Sequence, residues 1–359
     1  MSLDPPSIAA ASELRGLPRL TWPWTAVGLA CLAGALCIGV LVGPVRISPG
    51  EAAQALISGL HVQGAAGLSD PGRASILWSL RLPRVVLGAI VGGMLATAGA
   101  AYQGVFRNPL ADPYLLGAAA GAELGATLAI AFLATASAAL VNLVPVAAFT
   151  GATLAVGAAY LVGRSFSGSR SPTTLILAGV AIASFLNAVQ IYVQQSQTNS
   201  FRQVYTWILG RLVTAGWDGV ALIAPYVGLS LIVIFAHRRL LDVLGVGDEE
   251  AASLGVSARR VRMVVVAAAT LGTAAAVAIA GTIAFVGIIV PHTIRLLVGR
   301  SYRVVVPLSM LGGAAFLVLA DAAARTVSSP AEVPIGVITA LVGAPFFIAV
   351  MRSTRTAEL

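Results

Sequence analysis

Residues 103–117 read Gln103-Gly104-Val105-Phe106-Arg107-Asn108-Pro109-Leu110-Ala111-Asp112-Pro113-Tyr114-Leu115-Leu116-Gly117. They join two apolar runs, 83–106 and 115–134, each long enough to cross a bilayer. Pro109 and Pro113, four apart, end one helix and start the next. Asn108 and Asp112 carry short polar side chains suited to bonding the backbone groups that the prolines free. An irregular segment this close to the membrane is tolerated only beside protein or a water-filled path. The stretch therefore predicts an all-α membrane bundle with a polar break built into it.

Outward from this break the same pattern repeats. Further apolar runs occupy about 24–44, 139–163, 172–195, 217–236, 260–281, 283–299, 304–322 and 335–352, which predicts ten transmembrane helices. The stretch 260–299 is nearly continuous and is divided in two. Composition agrees, with 58% hydrophobic residues, only 10% charged, and a mean hydropathy of +0.92. A soluble domain carries about 25% charged residues, so lipid is the solvent for most of this chain.

The basic residues set the orientation. With the N-terminus in the cytoplasm, fifteen arginines fall inside and seven outside, which accounts for all 22 basic residues. That bias predicts both termini inside and an even number of spans. The chain reads as a cytoplasmic tail 1–23, one transmembrane domain 24–352 with a cytoplasmic segment 240–258, and a cytoplasmic tail 353–359. Ten spans suggest two sets of five in inverted orientation, a common transporter plan. Small residues in one span, Gly92, Gly93, Ala96, Gly99 and Gly104, suit close helix packing in lipid. Outside, Ser48-Pro49-Gly50-Glu51 has capping-box spacing and predicts an interfacial helix at about 49–59.

Several chemistries are excluded. Lys does not occur, so no P-loop lysine and no Schiff base can form. The arginines are scattered without a basic face and interleaved aromatics, which argues against nucleic acid. Cys31 and Cys37 are six apart on one apolar helix and face different ways. His61, His237 and His292 have no metal spacing. No cofactor or metal site is expected in this chain, and there is no nucleophile elbow or zinc motif for an intramembrane hydrolase.

The inside segment holds Gly247-Asp248-Glu249-Glu250-Ala251-Ala252-Ser253-Leu254-Gly255. Acidic residues sit where a helix start wants negative charge, and Gly255 where a helix end wants a left-handed residue. A two-turn helix in water needs something to hold it, so this one is expected to dock on another protein. A plain surface loop is the alternative.

Arg107-Asn108-Pro109-Leu110-Ala111-Asp112-Pro113, with Gln103 before it, resembles the signature of the FecCD/BtuC-like permeases of type II ABC importers, which take up iron-siderophores, haem and cobalamin. Similar blocks are Arg81-Leu82-Pro83-Arg84, Leu177-Ala178-Gly179-Val180, Gly247-Asp248 through Leu254-Gly255, Ala280 through Gly287 with Pro291-His292, Pro334 through Thr339, and Gly343-Ala344-Pro345-Phe346. Together they cover about 24–352. The resemblance implies a bacterial plasma-membrane permease working as a homodimer. Two ATPase subunits would bind ATP and Mg on the cytosolic side, and an extracytoplasmic binding protein would deliver the solute. It implies that Gly247, Asp248, Glu249, Glu250, Ala251, Leu254 and Gly255 form the helix that couples to the ATPase. Glu250-Ala251-Ala252…Gly255 is similar to the general importer EAA motif, with one residue fewer before the glycine. Arg81, Arg84 and Arg325 would meet carboxylates of the binding protein, with interfacial snorkelling as the plainer role. Asn108 and Leu110 would form a cytoplasmic gate with the loop Ser171-Pro172-Thr173-Thr174, where Pro172 and Thr173 are the candidates.

Glu123 departs from the family pattern, which has a small or polar residue there. A carboxylate inside a span marks function by default. It either lines the path or is bonded to a neighbouring helix. It also supports the competing reading, a secondary transporter coupled to protons or cations. The cytosolic helix and outer arginines favour the importer.

Overall fold

Each of the ten apolar runs folds into a helix in the computed structural model, which describes residues 20–45, 47–60, 71–133, 143–165, 172–212 and 216–356. The tail residues 1–19 and 357–359, Arg46, His61, Arg170 and Ser171 of the expected gate loop lie outside the described residues. In chain order the helices are α1 (Trp22–Leu41), α2 (Pro49–Leu60), α3 (Pro71–Ile76), α4 (Leu82–Phe106), α5 (Ala118–Leu128), α6 (Leu143–Ser165) and α7 (Pro172–Ser196). There follow α8 (Phe201–Ile208), α9 (Asp218–Val246), α10 (Asp248–Ser253), α11 (Ala258–Ala280), α12 (Val286–Val298), α13 (Tyr302–Thr326) and α14 (Ile335–Thr356). A π-helical turn, Leu77–Arg81, joins α3 to α4, and another, Ala129–Leu133, extends α5.

Among the described residues, seven helices are long and apolar enough to cross a membrane. Three shorter apolar helices, Ala118–Phe132, Val286–Val298 and Ile335–Ala349, account for the other runs. The two doubtful spans of 260–299 are separate. Gly281 (φ 69°) and Phe285 (φ 71°) take left-handed backbone and break the helix between Ala280 and Val286.

Burial grades from the centre outward. α4 is the axis of the bundle and packs on α9, α11, α12 and α13, while α1 and α7 keep most of their surface exposed. Lipid tails are as apolar as leucine, so association rests on close packing rather than on hiding apolar surface. Two glycine crossings supply it. A Cβ on Gly92 of α4 would lie 2.3 Å from the Gly313 carbonyl oxygen of α13, and one on Gly313 would lie 2.4 Å from that of Gly92. Gly121 of α5 and Gly151 of α6 repeat the arrangement at 2.2 and 2.1 Å.

The interfacial helix is present as α2, and its capping box closes in both directions. Ser48 N–H donates to Glu51 Oε2 at 2.8 Å, and Glu51 N–H to Ser48 Oγ at 3.3 Å.

Candidate coupling, gate and docking sites

α10 stands at the face where α4 ends and α11 begins. Its C-terminus forms a Schellman motif: Val256 N–H donates to Ala251 O and Gly255 N–H to Ala252 O, both at 2.9 Å, with Gly255 at φ 76°. Ala251 is buried, whereas Glu249, Ala252, Ser253 and Leu254 are exposed. Asp248 does more than complement the helix start. Its carboxylate accepts from Arg262 Nη1 at 2.7 Å and from Arg107 Nη2. Arg107 also donates Nε–H to Leu244 O at 2.5 Å, and Arg262 donates Nε–H to Val105 O at 3.3 Å. The hydrogen bonds from Arg262, with the Arg107 charge, hold the Asp248 carboxyl below the usual carboxylate range, although burial opposes this. One carboxylate thus ties α10 to the end of α4 and to the start of α11. Gly247, Asp248, Glu249, Glu250, Ala251, Leu254 and Gly255 come together as one unit.

The segment 107–117 begins at Arg107 itself, in left-handed backbone at φ 49°. Asn108 Oδ1 accepts from Leu110 N–H at 2.9 Å, and Asp112 Oδ1 from Tyr114 N–H at 2.7 Å. These bonds satisfy the backbone that Pro109 and Pro113 interrupt. Leu110 is exposed at 39% and Asn108 is half-buried. Thr173 is exposed in the first turn of α7, which opens at Pro172.

Tyr114 reaches a second irregular knot. Its hydroxyl donates to Ile283 O at 3.1 Å and accepts from Ile283 N–H at 3.2 Å. Thr282 Oγ1 donates to Ile208 O, Arg211 N–H to Ala280 O, and Ile335 N–H to Gly210 O, at 2.5, 2.8 and 3.1 Å. Non-helical backbone from three loops is thereby bonded within protein, as membrane depth requires. Glu123 of α5 lies near Thr282 of this knot, beside the break between α11 and α12.

At the other end of α4, about 37 Å away at the helical rise of 1.5 Å per residue, the three arginines divide. Arg81 is 5% exposed and Arg325 3% exposed. Arg81 donates Nη1–H to Val40 O at 2.9 Å and to Leu41 O at 3.3 Å, and Nη2–H to Val45 O. Arg325 donates to Gly39 O at 3.0 Å and Val42 O at 3.1 Å. Both cap the last carbonyls of α1, which have no helical donors of their own and carry the negative end of the helix dipole. Arg81 and Arg325, expected to meet binding-protein carboxylates, are thus engaged by α1 carbonyls within the chain. Arg84 alone of the three keeps access. It is ion-paired to buried Asp321 at 2.8 Å and to Glu332 at 2.9 Å. Asp321 also pairs with Arg325 at 2.9 Å. Burial raises the Glu332 carboxyl, but the Arg84 hydrogen bond and charge outweigh it and leave it below its ordinary range.

Asp321 and Glu332 at this end, and Asp242, Arg262 and Arg295 at the other, were not singled out in the sequence. Asp321 and Arg325 have the i, i+4 spacing of a helical ion pair, a signal available in the chain. Asp242 was not singled out, yet it accepts from Ser301 Oγ at 3.0 Å and Tyr302 N–H at 2.6 Å, fixing the start of α13 to α9. Arg295 donates to Gln103 Oε1 at 2.8 Å, and Gln103 donates to Gly287 O at 3.3 Å, so the residue before the signature positions α12.

A bundle of buried, glycine-crossed helices, with a small helix clamped at one face and a charged cluster at the other, is the architecture of a multi-pass membrane permease. Residues 31–353 match the FecCD transport family, and the chain belongs to that family. It is 39% identical over 332 residues to the ABC transporter permease protein YvrB of Bacillus subtilis, covering 90% of this chain and 92% of that one. The cobalamin import system permease protein BtuC of Halobacterium salinarum is 42% identical over 284 residues, covering 79% and 75%. The hemin transport system permease protein HmuU of Yersinia pestis is 37% identical over 276 residues, covering 76% and 82%. A solved structure described as a metal-chelate type ABC transporter in an inward-facing conformation superposes with a TM-score of 0.76 at 29% identity, covering 91% of this chain and 97% of that one. The chain is a non-catalytic transmembrane subunit of an ABC importer, with ATP bound on separate subunits.

Proposed function

We propose that this permease carries a metal chelate (an iron-siderophore, haem or cobalamin) across the plasma membrane, as a homodimer of ten-span subunits with both termini in the cytoplasm. The spans would divide as two inverted sets of five. Two ATPase subunits engage α10, and an extracytoplasmic binding protein engages the Arg84 face. The relatives' cobalamin and hemin cargoes favour the solute class. Family membership sets aside the ion-coupled secondary transporter built on Glu123.

The observation that carries the coupling assignment is the Asp248 clamp. ATPase movement pushes on the exposed Glu249 and Leu254 face. The load passes through Asp248 to Arg107, which heads the 107–117 segment, and to Arg262 at the start of α11. Asn108 and Leu110 then act as the inner gate, with Pro172 and Thr173 as the candidates of the second gate element. Arg84 meets binding-protein carboxylates in exchange for Glu332, while Arg81 and Arg325 hold the α1 end against which Arg84 is set. The test is uptake of ferric siderophore, hemin and cobalamin by proteoliposomes holding the permease with its ATPase and binding protein. One of the three should accumulate only with ATP inside, and the charge-reversed Asp248→Arg, Glu249→Arg protein should lose uptake while keeping its membrane fold. Unchanged uptake in that variant would remove the coupling assignment.

A further inference from the structure

Helices α6 and α9 meet where the Phe149 and Tyr226 rings stand 5.4 Å apart. The wedge between them is a cavity of about 910 Å³, walled by α6 from Thr153 to Arg164, α9 from Leu229 to Val233, and α11 from Arg259 to Leu271. At the α10 end its inner wall is Val105 and Phe106, beside the Asp248 clamp. The lining is apolar, and its inner hydroxyls are already satisfied. Thr153 Oγ1 donates to Phe149 O at 2.9 Å, Ser230 Oγ donates to Ala268 O at 2.6 Å, and Thr270 bonds Tyr102 at 3.0 Å. Water would gain little there, whereas hydrocarbon would lose nothing. The walls keep Leu229 and Met263 about half-exposed, at 55% and 47%.

The charged lining residues are Arg164, Arg259, Arg262 and Asp248, at the α10 end. Asp248 is taken up by Arg262 and Arg107, which leaves Arg164 and Arg259 at the mouth. Arg259 lies in the first turn of the 23-residue α11, whose N-terminal dipole also favours an anion. The depth fits one leaflet. From Thr153 to Arg164 is eleven steps along α6 and from Arg259 to Leu271 twelve along α11, a rise of about 16 and 18 Å, against about 15 Å for half of the hydrocarbon core.

We infer that this wedge binds an anionic phospholipid of the cytoplasmic leaflet, with acyl chains between α6, α9 and α11 and its phosphate on Arg164 and Arg259. The leaflet assignment rests on the orientation proposed above. A lipid seated there buttresses α11 directly behind the clamp that holds the coupling helix.

The test is native mass spectrometry of the purified full chain, delipidated and then offered phosphatidylglycerol and phosphatidylcholine with matched chains. The wild type should retain one phosphatidylglycerol per chain in preference to phosphatidylcholine. The preference should be about thirty-fold, from about fivefold per arginine. Arg164→Gln with Arg259→Gln should abolish the preference. Gly157 lines the cavity and has no atom within 4 Å of an added Cβ, so Gly157→Leu should expel the chains while leaving the fold and the charges in place. Equal retention of both lipids by the wild type, or undiminished retention by Gly157→Leu, would overturn the assignment. The readout is binding rather than uptake, so its failure is separate from failure of the importer reading.

Discussion

Asp248→Asn isolates the clamp, because the amide keeps the shape and one acceptor but loses the charge. The carboxylate is 49% exposed, and its partners Arg107 and Arg262 are 37% and 17% exposed. Ion pairs this wet contribute about 0.2–1 kcal/mol each, so losing both costs roughly 0.5–2 kcal/mol. That shifts the balance between clamped and released α10 about 2- to 30-fold. Hydrogen exchange of the peptide spanning 247–256 should therefore lose protection by that factor, while α4 and α13 stay unchanged. In proteoliposomes the ratio of solute moved to ATP hydrolysed should fall, with ATP turnover maintained. The folded carboxyl lies below its ordinary value, so the clamp is at full strength above the unfolded value of about 3.9 and is lost as pH falls through the folded one. Between pH 6 and 8 the variant and wild type should differ by a constant factor. Equal exchange and equal coupling in the two proteins would refute the clamp.

Gly121→Leu places a side chain on the Gly151 carbonyl, 2.2 Å from its Cβ, and should destabilise the detergent-solubilised protein by about 1–3 kcal/mol or more. Gly34→Leu, with open space around it, should leave the thermal midpoint unmoved. Glu332→Gln removes the exposed half of the Arg84 cage and should raise binding-protein affinity a few-fold at low salt, whereas Arg84→Gln should lower it, both read by surface plasmon resonance. Glu123→Gln keeps the size and polarity of a side chain near the Thr282 knot and should keep uptake within about twofold of wild type, and a tenfold loss would place Glu123 in the solute path.

Features governed by local chain chemistry were legible in the sequence. The ten helices followed from apolar runs, α2 from Ser48 and Glu51, and the end of α10 from Gly255. What escaped was pairing across the bundle. Nothing local tells Asp248 that Arg107, 141 residues earlier, will meet it. Likewise, Arg81 and Arg325 read as surface cations because their partners are carbonyls of α1, some 40 and 285 residues distant. An arginine near a span end has two uses, a partner's carboxylate or an orphaned helix terminus, and only the fold decides between them. The knot around Ile283 escaped for the same reason, since its bonds join three loops far apart in the chain.

Coupling of partner ATP hydrolysis to solute movement through residues 247–255, as proposed, is tested by uptake of the metal chelate into proteoliposomes of the assembled complex, with internal ATP and with the ion gradients collapsed by ionophores. Uptake that persists without gradients, stops with vanadate and is lost in Asp248→Arg, Glu249→Arg is the result expected. Uptake that needs the gradient, ignores ATP and survives that double variant would contradict it.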